Sequence, residues 1–255
     1  MTPTSQTALI TGGAKRLGRS IAVDLAKQGY DIALHYNSSK ASSEKVAAEI
    51  RSLGVRCESF QADLRDHRAV EGLMPTVLEQ MPSLSVLVNS ASIYDPTPIA
   101  NTSVEILQQN FSIHLFAPFL LSRDFFNSCP GGNIINIVDT KIHFQQYDYA
   151  AYLLSKKSLA ELTKLSALEF APKFRVNAIL PGVILPPEGR GDDYVEWRRH
   201  GLPLQRIGDP SNISHTVRYI LENNFLTGQL IAVDGGESLT SEGRTVVQFG
   251  ESSDE

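Results

Sequence analysis

The chain begins with a short apolar strand that breaks at two glycines and continues as an amphipathic helix. The strand spans residues 7–11, the break is Gly12-Gly13, and apolar residues at helical spacing follow over 17–26. A helix N-terminus offers unpaired N–H groups and the positive end of its dipole, which together bind phosphate. Glycines are also common in plain turns between a strand and a helix. The segment therefore predicts a strand followed by a helix, and phosphate binding needs support from the rest of the chain.

Strands and helices then alternate along the whole chain. Strands are predicted at 30–36, 55–61, 85–89, 133–138, 175–180 and 228–233, and helices at 42–53, 67–81, 103–126, 152–170 and 210–222. This alternation is typical of a parallel sheet with helices on its faces. Pro118 should kink or locally adjust the helix at 103–126. Residues 183–204 are rich in Pro, Gly and charge without apolar periodicity, which predicts a functional lid.

Composition limits the classes of protein that need consideration. A length of 255 residues predicts one domain over 1–255, with a core at 7–239 and a polar tail at 240–255. A net charge of −5 argues against nucleic acid or anionic membranes as partners. We find no apolar run of about 18 residues and no basic leader, so we expect a cytoplasmic protein. The two cysteines lack metal-ligand spacing, which predicts structural thiols and no metal site.

A tyrosine, a lysine and an aspartate form the main candidate catalytic group. Tyr152 and Lys156 are four residues apart and therefore share one face of the predicted helix. A nearby cation favours the phenolate, so we expect Lys156 to lower the pKa of Tyr152. Asp139 ends the apolar strand at 133–138, at the edge of a parallel sheet where ligands bind. Taken alone, the Tyr-x-x-x-Lys spacing also fits an ordinary helix with a surface lysine.

The end of the second strand bears on cofactor choice. An acid at this position holds a ribose 2′-hydroxyl, and its absence permits a 2′-phosphate. Asp31 lies at the other end of the strand, while Lys15 and Arg16 add positive charge nearby. The sequence therefore favours NADPH over NADH. For Ser38 and Ser39 the alternative is an ordinary solvated turn. The residues at the strand end are His35, Tyr36, Asn37, Ser38 and Ser39.

Two further segments place aromatic and histidine side chains near the same edge. The loop at 90–98 follows the fourth strand and contains Tyr94, which could pack structurally or serve as a stacking platform. Asn110 and His114 lie on one face of the long helix. A lone helical histidine is more often structural than catalytic.

At this point the chain resembles the short-chain dehydrogenase/reductase family over about residues 7–239. The resemblance implies a Rossmann-type doubly wound α/β domain with a seven-stranded parallel sheet, and commonly a homotetramer. The matching segments, in order, are Thr11-Gly12…Gly18, Ala62-Asp63-Leu64, Asn89-Ser90-Ala91, Tyr152-x-x-x-Lys156, Arg175-Val176-Asn177, Pro181-Gly182 and Val233-Asp234-Gly235-Gly236.

Three departures from the family pattern narrow the resemblance. Arg16 stands where the loop usually has a glycine, Asp139 where it has the catalytic serine, and His114 where it has an asparagine. Arg16 and Asp139, with the loop at 92–98, resemble the pteridine reductases. The histidine resembles the bacterial dihydromonapterin reductases of that group, in which case Asn110 has no role in catalysis.

The resemblance implies NADPH-dependent reduction of a dihydropterin, such as dihydromonapterin, dihydrobiopterin or dihydrofolate. Hydride would reach a C=N carbon, with Tyr152 as proton donor, directly or through water. Lys156 would tune Tyr152 and hold the nicotinamide ribose, while Asp139 would orient the substrate and support proton delivery. His114 would anchor a water chain behind Lys156.

The remaining positions follow from the same resemblance. Arg16 would bridge the cofactor phosphates and the substrate, and Tyr94 would stack on the pterin. The expected cofactor contacts are Gly12, Lys15, Arg16, Leu17, Gly18, His35, Tyr36, Asn37, Ser38, Ser39, Asp63, Leu64, Asn89, Ala91, Ser92, Tyr152, Lys156, Pro181 and Gly182. The expected substrate contacts are Arg16, Ser92, Tyr94, Asp139 and Tyr152.

Two alternatives remain open from the residues. The first is a carbonyl reductase of the same fold, acting on an acyl thioester, sugar or small ketone. Asp139 argues against it, because such enzymes use a hydroxyl at that position. The second is a non-catalytic NADP(H)-sensing protein, against which the intact Tyr152 and Lys156 argue.

Overall fold

The computed structural model describes residues 5–186 and 191–240, so the predicted tail beyond Thr240 lies outside the described residues. A parallel sheet of seven strands runs in the order β3-β2-β1-β4-β5-β6-β7, which confirms the predicted fold class. The strands are β1 (Thr7–Ile10), β2 (Asp31–Tyr36), β3 (Cys57–Gln61), β4 (Leu84–Asn89), β5 (Gly132–Ile137), β6 (Phe174–Pro181) and β7 (Leu230–Val233). The helices are α1 (Arg16–Lys27), α2 (Lys40–Ser52), α3 (His67–Gln80), α4 (Val104–Phe111), α5 (Ala117–Ser128), α6 (Ala150–Phe170), α7 (Asp192–His200) and α8 (Pro210–Glu222).

The strand order reverses between β1 and β4, and this reversal positions the functional edge of the sheet. β1 pairs in parallel with β2 on one side and with β4 on the other. The loops that leave two such strands move apart and open a crevice beyond the carboxyl ends. Thr11 fixes one end of this crevice, because its Oγ1 accepts the N–H groups of Ser90 at 2.9 Å and Ala91 at 3.1 Å.

The core lies on both faces of the sheet. Ala8, Leu9 and Ile10 of β1 are fully buried, as expected for a central parallel strand covered by helices on each side. Cys57 is buried and Cys129 is partly buried, and both are free thiols, as expected for cysteines that pack in or near the core. Burial raises the pKa of the Cys57 thiol to about 12.

The long helix predicted at 103–126 is divided by a π-helical segment, Ser112–Phe116, between α4 and α5. Pro118 lies in the first turn of α5, directly after this π-helical segment. The expected local adjustment at this proline is therefore confirmed. It takes the form of a wider turn that contains His114, and such turns are frequent at functional sites.

The region predicted as a lid contains a helix that the apolar pattern did not predict. Helix α7 starts with Asp192 and Asp193 and ends with Arg198, Arg199 and His200, a charge order that suits the helix dipole. Residues 187–190 of this region lie outside the described residues. Arg198 is nearly fully buried and pairs with the buried Glu237 at 2.7 Å, so α7 is tied to the segment after β7.

Candidate active site

A cavity of about 640 Å³ lies at the carboxyl ends of the central strands. Most of the predicted site residues line it together. Those on its wall are Gly12, Lys15, Arg16, Leu17, Gly18, His35, Asn37, Asp63, Leu64, Ala91, Ser92, Tyr94, Asp139, Tyr152, Lys156, Pro181 and Gly182. The predicted residues that are not on this wall are Tyr36, Ser38, Ser39, Asn89 and His114.

The loop between β1 and α1 brings its backbone up to the cavity. A Cβ atom on Gly18 would lie 2.3 Å from the carbonyl oxygen of Gly12, so only glycine fits there. Gly12 has a φ of +65°, and a Cβ on it would lie 2.9 Å from the Cα of Ala91. The loop therefore presents bare backbone next to the positive side chains of Lys15 and Arg16. This combination fits the phosphates of a dinucleotide.

The His35 side chain is hydrogen-bonded to this loop. Its Nδ1 accepts the N–H of Gly12 at 3.1 Å, so the ring proton is on Nε2, which donates to the Ala62 carbonyl at 3.0 Å. Burial lowers the pKa of His35 to about 4, so the ring is neutral. Both ring nitrogens are used within the protein, and the predicted contact of His35 with a cofactor stays a prediction.

Arg16 joins two walls of the cavity. Its Nη2 donates to the carbonyl oxygens of Leu185 at 3.2 Å and Pro186 at 3.1 Å. Its φ is +50°, a left-handed conformation that non-glycine residues adopt at a cost. This conformation explains why a glycine is usual at this position in the family that the chain resembles.

Asp139 and Tyr152 are directly hydrogen-bonded. The Tyr152 hydroxyl donates to Oδ2 of Asp139 at 2.6 Å, and Oδ1 accepts the backbone N–H of Lys141 at 2.8 Å. Asp139 thereby caps the short 3-10 helix Thr140–His143, which holds its carboxylate in place. The expected juxtaposition of the strand end with the Tyr/Lys helix is thus present in the structure.

The expected lowering of the Tyr152 pKa by Lys156 is wrong. Burial raises the pKa of Tyr152 well above its usual value, and the charge and hydrogen bond of Asp139 raise it further. The Lys156 ammonium is turned to the Ile137 carbonyl, to which it donates at 2.8 Å, and it lies 5.7 Å from the Tyr152 ring centroid. Tyr152 is therefore held protonated, which suits a proton donor.

Lys156 is itself fully enclosed. Burial lowers its pKa to about 8, and the charge of Asp139 acts in the opposite direction. Because Lys156 is buried, a change of charge on the adjacent Tyr152 should shift the pKa of its ammonium more than it would shift that of a solvated lysine.

His114 links the loop after β4 to helix α6. Its Nε2 accepts the N–H of Ile93 at 3.2 Å and lies 3.0 Å from the Ser92 hydroxyl. The proton is therefore on Nδ1, which donates to Oγ of Ser155 at 2.9 Å, and Ser155 donates in turn to the Tyr152 carbonyl at 2.7 Å. Burial, with the charge of Lys156, lowers the pKa of His114, so the ring is neutral.

Tyr94 belongs to an aromatic cluster beside the catalytic candidates. Its ring stacks on Tyr149, with centroids 4.4 Å apart, and meets Tyr152 edge-on at 4.8 Å. Sequence reasoning missed Tyr149, although it precedes Tyr152 by one helical turn and therefore shares its face.

Sequence reasoning also missed further cavity-lining residues, of which four have ionisable side chains, namely Lys141, Tyr194, Arg198 and Glu237. Lys141 lies two residues after Asp139, so its proximity could have been inferred. Arg198 and Glu237 come from α7 and from the segment after β7, and only the folded chain brings them to the site. Within 5–186 and 191–240, no group of three or more His, Cys, Asp or Glu side chains could hold a metal ion, and no helix is long and apolar enough to cross a bilayer.

Comparisons with known proteins agree with this geometry. Residues 12–238 match the family model described as enoyl-(acyl carrier protein) reductase. The chain is 31% identical to the 3-oxoacyl-[acyl-carrier-protein] reductase FabG of Staphylococcus aureus, over 91% of this chain and 98% of FabG. The crystal structure of FolM alternative dihydrofolate reductase 1 from Brucella suis, in complex with NADP, superposes with a TM-score of 0.89 at 35% identity, covering 93% of this chain and 97% of FolM.

The FolM structure from Brucella canis, also complexed with NADP, gives a TM-score of 0.87 at 35% identity over 94% of this chain and 97% of FolM. The family model covers most of the sequence, and the fold is the same as that of the two FolM structures. The chain belongs to the short-chain dehydrogenase/reductase family of oxidoreductases.

Proposed function

We propose that this protein is an NADPH-dependent reductase of dihydropterins. The observation that carries the proposal is the 2.6 Å hydrogen bond between the Tyr152 hydroxyl and the Asp139 carboxylate at the wall of the cavity. A carboxylate there accepts hydrogen bonds from N–H groups, which a pterin ring and its amino group provide. Similarity to two FolM dihydrofolate reductases complexed with NADP supports both the substrate class and the cofactor.

The residues present fit the cofactor. The bare backbone at Gly12 and Gly18, with Lys15 and Arg16 nearby, would hold its phosphates. Asn37 at the end of β2 leaves room for a 2′-phosphate, since no carboxylate stands there. When bound, NADPH supplies the hydride for the C=N carbon of the substrate.

The chain's own groups would bind the pterin and handle the proton. Asp139 accepts hydrogen bonds from the ring nitrogens and the amino group of the substrate. Tyr152, held protonated by burial and by Asp139, delivers its proton to the adjacent nitrogen, directly or through water. Lys156 stabilises the negative charge that this leaves on the Tyr152 oxygen.

Neighbouring side chains would position the ring. Tyr94 provides a flat aromatic surface whose other contacts, with Tyr149 and Tyr152, fix its orientation. Arg16 would bring its guanidinium to the substrate edge and the phosphates while tying down the segment after β6. Ser92, whose hydroxyl lies 3.0 Å from His114, is the remaining expected substrate contact.

A carbonyl reductase is the second candidate, and the similarity to FabG is the observation that favours it. The two candidates make opposite predictions about Asp139. In a carbonyl reductase, the group at this position donates a hydrogen bond to a carbonyl oxygen, whereas both oxygens of Asp139 accept hydrogen bonds, from Tyr152 and from Lys141.

The decisive experiment follows NADPH oxidation with dihydromonapterin, dihydrobiopterin and dihydrofolate, each offered separately to the purified protein. Turnover of at least one supports the proposal and ranks the substrates. A 3-oxoacyl thioester and a small ketone serve as comparison substrates. NADPH binding by fluorescence, combined with turnover of a ketone and of none of the pterins, would replace the proposal with the carbonyl-reductase alternative.

We also propose that the protein is a homotetramer, as its family resemblance implies. An apolar groove supports self-association, because Phe119 on α5 and Leu154 and Leu165 on α6 are half or more exposed there. Light scattering of the protein after gel filtration measures its mass directly. We expect Leu165→Glu to lower that mass, and an unchanged mass would argue against this face.

A further inference from the structure

The cavity contains a cluster of buried polar groups that the proposed reaction leaves unused. Lys141 is 6% exposed, Arg198 4% and Glu237 2%, and all three line the cavity that contains Asp139 and Tyr152. Within the described residues, Nζ of Lys141, Nε of Arg198 and Oε2 of Glu237 have no hydrogen-bond partner. Buried polar groups are normally paired, so three unpaired ones in one ligand cavity indicate a missing partner.

The cluster lies next to the expected ring site. Nζ of Lys141 is 5.6 Å from the centroid of the Tyr94 ring and 5.3 Å from that of Tyr149. Its backbone N–H is bound to Asp139, which fixes where the side chain starts. A ring stacked on Tyr94 and bound by Asp139 would therefore present its substituent close to this cluster.

The cluster is rigid and prearranged. Arg198 pairs with Glu237 at 2.7 Å and also donates to the Tyr194 hydroxyl at 3.4 Å. Thr140, next to Lys141 in the 3-10 helix, donates to Asp234 at 2.7 Å, and Asp234 accepts the N–H of Ser238 at 2.8 Å. These bonds hold the segments that carry Lys141 and Glu237 in a fixed relation.

We propose that Lys141, Arg198 and Glu237 form a subsite for the hydroxyl groups of a short, uncharged substituent on the pterin ring. The unpaired atoms comprise two donors and one acceptor, and a hydroxyl group, which both donates and accepts, can satisfy either kind. This inference rests on the proposed function, because it takes the ring to be bound at Asp139 and Tyr94.

The charges of the cluster argue against a dianionic tail such as the glutamate of dihydrofolate. Lys141 and Arg198 carry two positive charges, and Glu237 and Asp139 carry two negative charges, so the formal sum is zero. Arg198 is already engaged by Glu237. Burying a carboxylate beside Glu237 would bring two like charges together in a buried part of the cavity, which is unfavourable.

The test compares substrates that differ only in the substituent. Dihydromonapterin carries a trihydroxypropyl group, and 6-methyl-dihydropterin has the same ring without hydroxyls. We expect the wild type to show a kcat/KM at least about tenfold higher for the hydroxylated substrate, the value of a charge-assisted hydrogen bond or two. Dihydrofolate should be the poorer substrate.

Two variants identify the residues responsible. Lys141→Met keeps the length and packing of the side chain but removes the ammonium, and Glu237→Gln removes the acceptor charge. We expect each to lose most of the preference for dihydromonapterin while 6-methyl-dihydropterin turnover stays within about threefold of wild type. Lys45→Met, which removes an exposed lysine on α2, is the matched control and should keep the preference. Melting temperature and NADPH binding report whether each variant is folded.

The outcomes separate the two proposals. Reduction of both pterins at equal kcat/KM by the wild type would overturn the subsite alone, and this result needs no variant. A preference of the wild type for dihydrofolate would overturn the subsite as well. So would an equal loss of kcat/KM for dihydromonapterin and 6-methyl-dihydropterin in a folded Lys141→Met variant. Reduction of no pterin, with NADPH bound, would overturn the proposed function and the subsite with it.

Discussion

The Tyr152 hydroxyl and the Asp139 carboxylate are joined by a 2.6 Å hydrogen bond across two separate elements, helix α6 and the end of β5. The carboxylate is fixed at its other oxygen by the N–H of Lys141. The pair therefore unites a proton donor with a substrate-orienting acceptor. A serine at the same position would offer only one oxygen and no charge.

Replacing Tyr152 by phenylalanine removes the proposed proton donor but keeps the ring in its aromatic cluster. We expect kcat for the dihydropterin to fall by about 100-fold or more, in line with the contribution of a general acid. NADPH affinity, measured by fluorescence titration, should change by less than about threefold, because the cradle around Gly12 is untouched. Unchanged turnover in a variant that binds NADPH would exclude Tyr152 as the donor.

Replacing Asp139 by asparagine tests its electrostatic role. Its charge is one of the causes that raise the pKa of Tyr152, so Asp139→Asn should lower that pKa. Ultraviolet absorbance titration of tyrosinate measures this pKa in the wild type and in Asp139→Asn. The double variant Asp139→Asn/Tyr152→Phe lacks Tyr152, so its difference from Asp139→Asn gives the signal of Tyr152 alone. We also expect KM for the dihydropterin to rise about tenfold through loss of a charged acceptor. An unaltered tyrosinate titration would mean that Asp139 does not act on Tyr152.

His114 is expected to hold the Tyr94 loop against α6 rather than to exchange protons. His114→Ala would leave the N–H of Ile93 and the hydroxyl of Ser155 without this partner, at a cost of roughly 2–4 kcal/mol in the free energy of unfolding. Urea unfolding measures this cost. His215→Ala, on the exposed side of α8, is the control and should cost less than about 0.5 kcal/mol.

The same variant distinguishes positioning from simple structural loss. Because His114 acts on the loop that carries Tyr94, we expect KM for the pterin to rise more than KM for NADPH. His114→Asn, which restores the residue usual in the family, should recover part of the affinity. Equal changes in the KM values for the pterin and for NADPH would mean that His114 stabilises the fold and does not position the Tyr94 loop.

Local sequence patterns were sufficient to predict an element where residues within that element mark its first and last turns. Helix α8 was predicted at 210–222 and has those bounds, because Pro210 opens it and Asp209 caps it with a hydrogen bond to the N–H of Ser211. Helix α7 was missed because it is short and charged and has no apolar stripe. Its acidic start and basic end were the available indication.

The site was predictable only where one segment carries the chemistry. Tyr152 and Lys156 share a helix, so their spacing alone indicated their proximity. The direction of the Tyr152 pKa was not predictable, because it depends on burial and on where the Lys156 ammonium turns. Glu237 is remote in sequence from Lys141, and only the folded chain brings both to one cavity wall.

Acid should destabilise the fold through the buried neutral histidines. The folded pKa of His35 is about 4, against an ordinary value of 6.5, so between these pH values the unfolded chain binds a proton that the folded chain does not. Stability is therefore complete above about pH 6.5 and falls as pH drops towards 4, by up to about 3 kcal/mol for His35. His114 acts in the same direction. Urea unfolding from pH 7 to pH 4 measures the slope.

Replacing His35 tests whether this histidine causes the loss of stability at low pH. His35→Asn should be less stable at neutral pH but should depend less steeply on pH, since one titrating group is gone. His215→Gln, which replaces a histidine that is exposed in the folded state, is the comparison variant. Identical slopes in all three proteins would exclude His35 as a source of the acid sensitivity.

Gly18 is expected to be indispensable to the nucleotide cradle. The Cβ of an alanine there would lie 2.3 Å from the Gly12 carbonyl oxygen, which forces the loop apart. We expect Gly18→Ala to weaken NADPH binding by at least about tenfold and to cost about 2 kcal/mol of stability through overpacking. Gly72→Ala is the matched control, because nothing lies within 4 Å of its Cβ and it belongs to helix α3. That variant should gain up to about 1 kcal/mol from helix propensity and bind NADPH like the wild type, so equal behaviour of the two alanine variants would contradict the proposed cradle.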